Sequence, residues 1–147
     1  MYKNSLIDSP IAIFILFIFI AIVNLFLPVH FLTILLIGIT YTIFSKAIEK
    51  EYYYTLFFMI IAFSIIELSQ GLKLFSLSLL AFFIHIFVAP FLKNILTSEK
   101  MIQFALVAIF YLGTMALFSF VGDIEFRMVA IFLVNLFLEI AFIWILF

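Results

Sequence analysis

Residues Tyr54 to Val88 read YTLFFMIIAFSIIELSQGLKLFSLSLLAFFIHIFV. Two apolar runs flank one short polar step that holds Glu67, Gly71 and Lys73. Phe and Ile favour strands in water, but these runs lack strict alternation and exceed the roughly ten residues of a membrane strand. A lone apolar run in lipid satisfies its own backbone only as a helix. The stretch therefore reads as helix, break, helix, and the rest of the chain repeats the pattern.

A bilayer core of about 30 Å takes roughly 20 helical residues. Outward from the central stretch, the apolar runs lie at about 10–27, 31–45, 52–68, 74–92, 101–121 and 128–147. Pro28 and His30 end the first run, and Lys46, Glu49, Lys50 and Glu51 end the second. Lys93 and Asn94 close the fourth, and Gly122 and Asp123 the fifth. The fold class expected is an all-α membrane protein, a bundle of six transmembrane helices forming one integral membrane domain over residues 1–147. Pro10 suits a first helical turn, with Asp8 and Ser9 as caps. The second and third runs are short and should be tilted or buried among their neighbours. The tight connection after the first run predicts a hairpin of helices one and two. Connections this short leave no room for a domain outside the membrane. The first run has no small-x-small cleavage site and is expected to stay as a span.

Composition agrees. The chain is 69% hydrophobic and 10% charged, with mean hydropathy +1.48. Soluble domains are about half apolar and about a quarter charged. A net charge of −1 provides no basic field for nucleic acid. The absence of cysteine excludes disulfides, thiolate metal sites and a cysteine nucleophile. The basic residues set the orientation: Lys3, Lys46, Lys50, Lys93 and Lys100 fall on one side, Lys73 and Arg127 on the other. Both termini are then expected inside, with Tyr52, Tyr53 and Tyr54 as an aromatic belt at the cytoplasmic face.

A charge at mid-helix costs about 2.5–3.5 kcal/mol on insertion scales, so each polar residue in an apolar run needs an account. Asn24, near the outer end of the first helix, is expected to face headgroups. Thr33, Thr40 and Thr42 can bond back to their own helices. His85 should face the bundle, held by a neighbouring hydroxyl or carbonyl, or else serving a proton or ligand; a lone histidine is no metal site. Asn135 and Glu139, four apart, share a helical face that is expected to continue through Phe132 and Phe142. Glu139 is either protonated or paired with His85, Lys93 or a partner subunit. Ser64 and Glu67 share a face, and Lys73 is placed to neutralise Glu67 across the Gly71 break. Gly38, Gly113, Ser76 and Ser78 permit close helix approach. No nucleophile–base pair, HExxH, P-loop or dinucleotide fingerprint appears, so no catalytic residue, metal site or cofactor is expected, and the chain does not read as an enzyme.

The acidic-Leu-x-x-Gly pattern of Glu67, Leu68 and Gly71, between two apolar helices, resembles the rod shape-determining protein MreD family. The Pro28 region, the charged step Lys46 to Glu51 and Asn135 in the last helix fall where that family has comparable features. The chain departs from it in having Glu67 where Asp is usual, a third helix poor in glycine, and no second glycine near Leu74 or Phe75. The resemblance implies a non-catalytic subunit of the rod-shape machinery (the elongasome) in the bacterial cytoplasmic (inner) membrane. That subunit would bind MreC, act indirectly with MreB and the RodA–transpeptidase pair, and support lateral peptidoglycan synthesis and cell shape. It also implies a fold resembling the substrate-binding component of energy-coupling-factor transporters. On this reading Glu67, Gly71 and Lys73 shape a docking end, and His85, Asn135 and Glu139 line the interior. Two alternatives stay open: a vitamin-like small-molecule binding subunit of a transporter, and an accessory subunit of a proton-translocating complex.

Overall fold

A computed structural model describes residues 6–26 and 36–146 and contains no strand among them. After a 3₁₀ turn at Leu6–Asp8 come α1 (Pro10–Phe26), α2 (Ile37–Glu49), α3 (Tyr53–Gln70), α4 (Ser76–Ile95), α5 (Glu99–Val121) and α6 (Phe126–Leu146). The helices α3, α4, α5 and α6 are long and apolar enough to cross a membrane, and α1 is an apolar helix of 17 residues. Exposed Phe19, Phe57, Leu79, Phe87, Leu112 and Phe137 give the outer surface an oily character suited to lipid.

The helix α2 is the centre of the molecule. Ten of its 13 residues are buried, and α3, α5 and α6 pack around it. Tyr41 stacks on Phe110 with ring centroids 4.7 Å apart, and Phe44 meets Phe63 at 5.7 Å and Phe82 at 4.9 Å. Such ring pairs add about 0.5–1.5 kcal/mol beyond burial of area. The short second run is thus the buried one, as its length suggested. The helix starts later than expected, at Ile37, and continues past Lys46 to Glu49. The turn at Pro28 and His30, the expected helical residues 31–35 and Thr33 lie outside the described residues.

The expected hairpin of helices one and two is corrected. The helix α1 packs mainly on α3, where Phe58 meets Phe14 and Phe17, and α3 also contacts α2. Ser9 caps α1 with a 3.4 Å bond from the Ala12 N–H, whereas Asp8 accepts bonds from Lys50 and Tyr52 at 3.0 and 3.1 Å. The paired run of α4 is not uniform. Residues Ile84–Val88 form a π-turn in which the Ala89 N–H bonds the Ile84 carbonyl, five residues back. Pro90 explains it. Proline has no N–H to donate, and its ring crowds the carbonyl four residues earlier, here that of Ile86. A widened turn relieves that clash and leaves the span continuous.

Two glycines work in different ways. A Cβ on Gly38 would lie 2.5 Å from Glu139 Oε2 and 2.8 Å from Val107 Cγ1. A Cβ on Gly71 would meet nothing, but Gly71 has φ +74°. Gly38→Ala should therefore destabilise by about 1–3 kcal/mol through overpacking, and Gly71→Ala by about 1 kcal/mol through backbone strain alone. Thermal midpoints of the detergent-purified variants check the order; a Gly38→Ala protein as stable as wild type would contradict the packing.

Candidate functional site

The two buried carboxyl groups of the apolar runs, Glu67 and Glu139, each sit on the start of a helix. The first four N–H groups of any helix lack intrahelical partners, and in lipid nothing else offers to accept them. Phe75, the residue before α4, is left-handed at φ 68°, and Leu36, the residue before α2, at φ 53°. A left-handed residue leading into a helix turns successive N–H groups toward one concave point, a cradle for an anion. No side chain of either capping residue satisfies these donors.

At α4 the acceptor is Glu67, which is fully buried. Its Oε2 accepts the Phe75 N–H at 2.7 Å, and its Oε1 accepts the Leu77 N–H at 2.5 Å, with the Ser76 hydroxyl at 3.5 Å. The backbone carbonyl of Glu67 also accepts the Gly71 N–H and, at 2.9 Å, the Leu72 N–H. This is a Schellman-type ending in which left-handed Gly71 and buried Leu72 close α3. One residue therefore terminates one helix with its carbonyl and starts the next with its carboxylate. The expected neutralisation of Glu67 by Lys73 is corrected. Lys73 is exposed, its carbonyl holds the Ser76 hydroxyl at 2.6 Å, and the Glu67 oxygens face inward to α4. Ser64 does not join the cluster, since it bonds back to the Ile60 carbonyl at 3.1 Å.

At α2 the acceptor is Glu139, which is 1% exposed and comes from the middle of α6. Its Oε2 accepts the Ile39 N–H at 2.8 Å, and its Oε1 accepts the Tyr111 hydroxyl of α5. Gly38 makes this possible, because a side chain there would occupy the position of the carboxylate oxygen. The expected pairing of Glu139 with His85 or Lys93 is corrected: Lys93 bonds Glu49 at 2.6 Å, and His85 Nδ1 lies 3.0 Å from the Ser45 hydroxyl. The shared face of Asn135 and Glu139 is present and buried, with Phe132, but it continues through Ile143. Phe142 faces outward. Asn24, expected at the headgroups, is buried and donates to the Ile20 carbonyl at 3.0 Å.

His85 sits in the π-turn, half-buried, and is held by a hydroxyl as the sequence suggested. It belongs to neither carboxylate cluster. Ser45 places it instead beside a cleft of 310 Å³ lined by Tyr41, Ser45, Lys46, Glu49, Lys93 and Glu99, among others. Of these residues the sequence singled out only Lys93, as a partner for Glu139, and it did not single out Tyr111. The charged turn Lys46-x-x-Glu49-Lys50 was visible, but the meeting of α2 with the end of α4 and the start of α5 was not.

No protein-family model matches the chain, and neither does any curated protein or solved structure.

Glu67→Leu leaves the Phe75 and Leu77 N–H groups without their acceptor, at about 1–3 kcal/mol for each buried group. Glu67→Gln retains one acceptor oxygen and should lose less. Amide hydrogen exchange in detergent should rise at residues 75–77 in the Leu variant, and less in the Gln variant. Unchanged protection in Glu67→Leu would show that the cap does not hold α4.

Proposed function

We propose that the chain is a non-catalytic scaffold subunit of the rod-shape machinery, similar to MreD, with six helices in the bacterial cytoplasmic membrane and both termini on its cytoplasmic side. On this reading it binds the single membrane helix of MreC and supports lateral peptidoglycan synthesis through RodA and its transpeptidase. The observation that supports it most is the Glu67–Gly71 turn. Each position of the motif on which the resemblance rests has a separate physical task there. Glu67 caps α4, Gly71 supplies the left-handed ending of α3, and Leu68 between them is 66% exposed.

Around that turn Leu74, Phe75 and Leu79 are also more than half exposed. The buried acid fixes the turn, and the apolar side chains it holds outward form the docking face proposed for a partner helix. Glu67 is then a positioning residue. The gathering of Lys46, Lys50 and Lys93 at the opposite end of the bundle is in keeping with that end being cytoplasmic. The transporter reading keeps one observation in its favour, the cleft at the lysine-bearing end.

The full chain, tagged at its C-terminus and extracted from native membranes in mild detergent, should co-purify with MreC. Leu68→Ala with Phe75→Ala should reduce MreC recovery several-fold while the level in the membrane stays constant. Recovery of an ATPase-linked membrane module with a bound small molecule, and no MreC, would replace this reading with the transport one.

A further inference from the structure

The cleft at the lysine-bearing end has features that neither carboxylate cluster has. It opens between α2, the end of α4 and the start of α5, and both polar and apolar residues line it. Ile102 and Leu106 of α5 supply apolar lining, and Lys46, Glu49, Lys50, Lys93 and Glu99 supply charge. Three of these charges are held in ion pairs. Lys93 bonds Glu49 at 2.6 Å, and Lys50 bonds Asp8 at 3.0 Å. Lys46 of α2 and Glu99 of α5 bring a further cation and anion to the cleft from different helices. The site thus presents both signs within one small volume.

The floor supplies an independent sign of a ligand. Tyr41 is 1% exposed, and its hydroxyl makes no hydrogen bond of ordinary length. Ser45, bonded to His85, is near in the helix but makes no hydrogen bond with the Tyr41 hydroxyl. A buried hydroxyl left unpaired is costly, and buried polar groups in native proteins nearly always find a partner. An occupant that reaches the floor would provide one.

Position narrows the chemistry. Lys100 lies 4.3 Å over the Trp144 ring at the neighbouring ends of α5 and α6, and Tyr52, Tyr53 and Tyr54 are exposed close by in sequence to the end of α2. Such residues mark a membrane–water boundary. A cleft at that level, lined by apolar side chains and by charges of both signs, meets amphiphiles before it meets dilute solutes. We propose that it binds a zwitterionic phosphate–amine headgroup, with the phosphate on Lys46 and the Tyr41 hydroxyl, the amine on Glu99, and the first apolar atoms on Ile102 and Leu106. This assignment is independent of the rod-shape reading.

Native mass spectrometry of the detergent-purified full chain tests it with three probes: phosphatidylethanolamine, phosphatidylglycerol and soluble phosphoethanolamine. Wild type should retain phosphatidylethanolamine several-fold better than phosphatidylglycerol. Lys46→Gln and Tyr41→Phe should weaken retention of both lipids, and Glu99→Gln should narrow the preference between them. Glu99 is exposed at a helix start, so its variant keeps the test valid if an inner variant fails to fold. Binding of phosphoethanolamine without lipid supports the headgroup chemistry and assigns it to a soluble ligand. Equal retention of the two lipids, unaltered by Glu99→Gln, overturns the proposal and leaves only unspecific annular lipid.

Discussion

The structure depends on how a helix can begin inside a low-dielectric layer. A span that crosses from water to water exposes its first N–H groups to solvent. One that begins at depth does not, and each unsatisfied group there costs several kcal/mol. With 13 residues α2 is about 20 Å long, too short to cross a core of about 30 Å. Its first turn meets Glu139, seven residues before the end of α6 at Leu146, or about 10 Å in from that end. The helix starts within the span, and the carboxylate of another helix replaces water as the acceptor.

This solution sets the packing around it. To reach the Ile39 N–H, α6 must come close to α2, and Gly38 is the residue whose missing side chain lets it. Tyr111 then ties α5 to the same carboxylate, so one group joins three helices. The helix dipole favours negative charge at this position, which gives a residue expensive in lipid a favourable place. The same device recurs at α4, where Glu67 acts from the preceding helix. Both starts share a left-handed residue before the first turn, Leu36 and Phe75. Neither is glycine, so each position bears a conformational cost that the carboxylate bonds help to offset.

The sequence revealed this architecture unevenly, for reasons that can be named. Helix positions were legible because apolar runs and charged breaks are local properties, and α3, α5 and α6 begin and end within a few residues of expectation. Burial of Glu139 and Asn135 on one face followed from their spacing, which is also local. The partners of Glu67 and Glu139 are backbone N–H groups, which every residue carries and no sequence marks. Side-chain logic therefore offered Lys73, His85 and Lys93, the visible groups of fitting charge, and each is engaged elsewhere or left exposed. Phe142 was misplaced because the three-residue step from Glu139 falls about 60° short of a full turn in a helix of 3.6 residues per turn; the four-residue step to Ile143 stays on the buried stripe. The π-turn was readable in principle from Pro90, whose effect falls four residues upstream.

The two ends of the bundle consequently differ in kind. At the α3–α4 turn the oxygens of Glu67 are saturated, with carbonyl and carboxylate taking five donors from Gly71 to Leu77, and Leu68, Leu74 and Phe75 face outward beside exposed Lys73. An apolar patch of this kind attracts a partner helix through shape and apolar contact, as membrane helices do among themselves. At the other end charges of both signs line the cleft, and the Tyr41 hydroxyl lies unbonded on the floor. There recognition can be electrostatic and selective for headgroup chemistry. Between them stands α2, bound at its start to Glu139 and lined at its end by the cleft. A change at the cleft must pass through a rigid, buried helix whose first turn is fixed to α5 and α6, so an occupant bound there would act on the same element that the internal carboxylate holds in place.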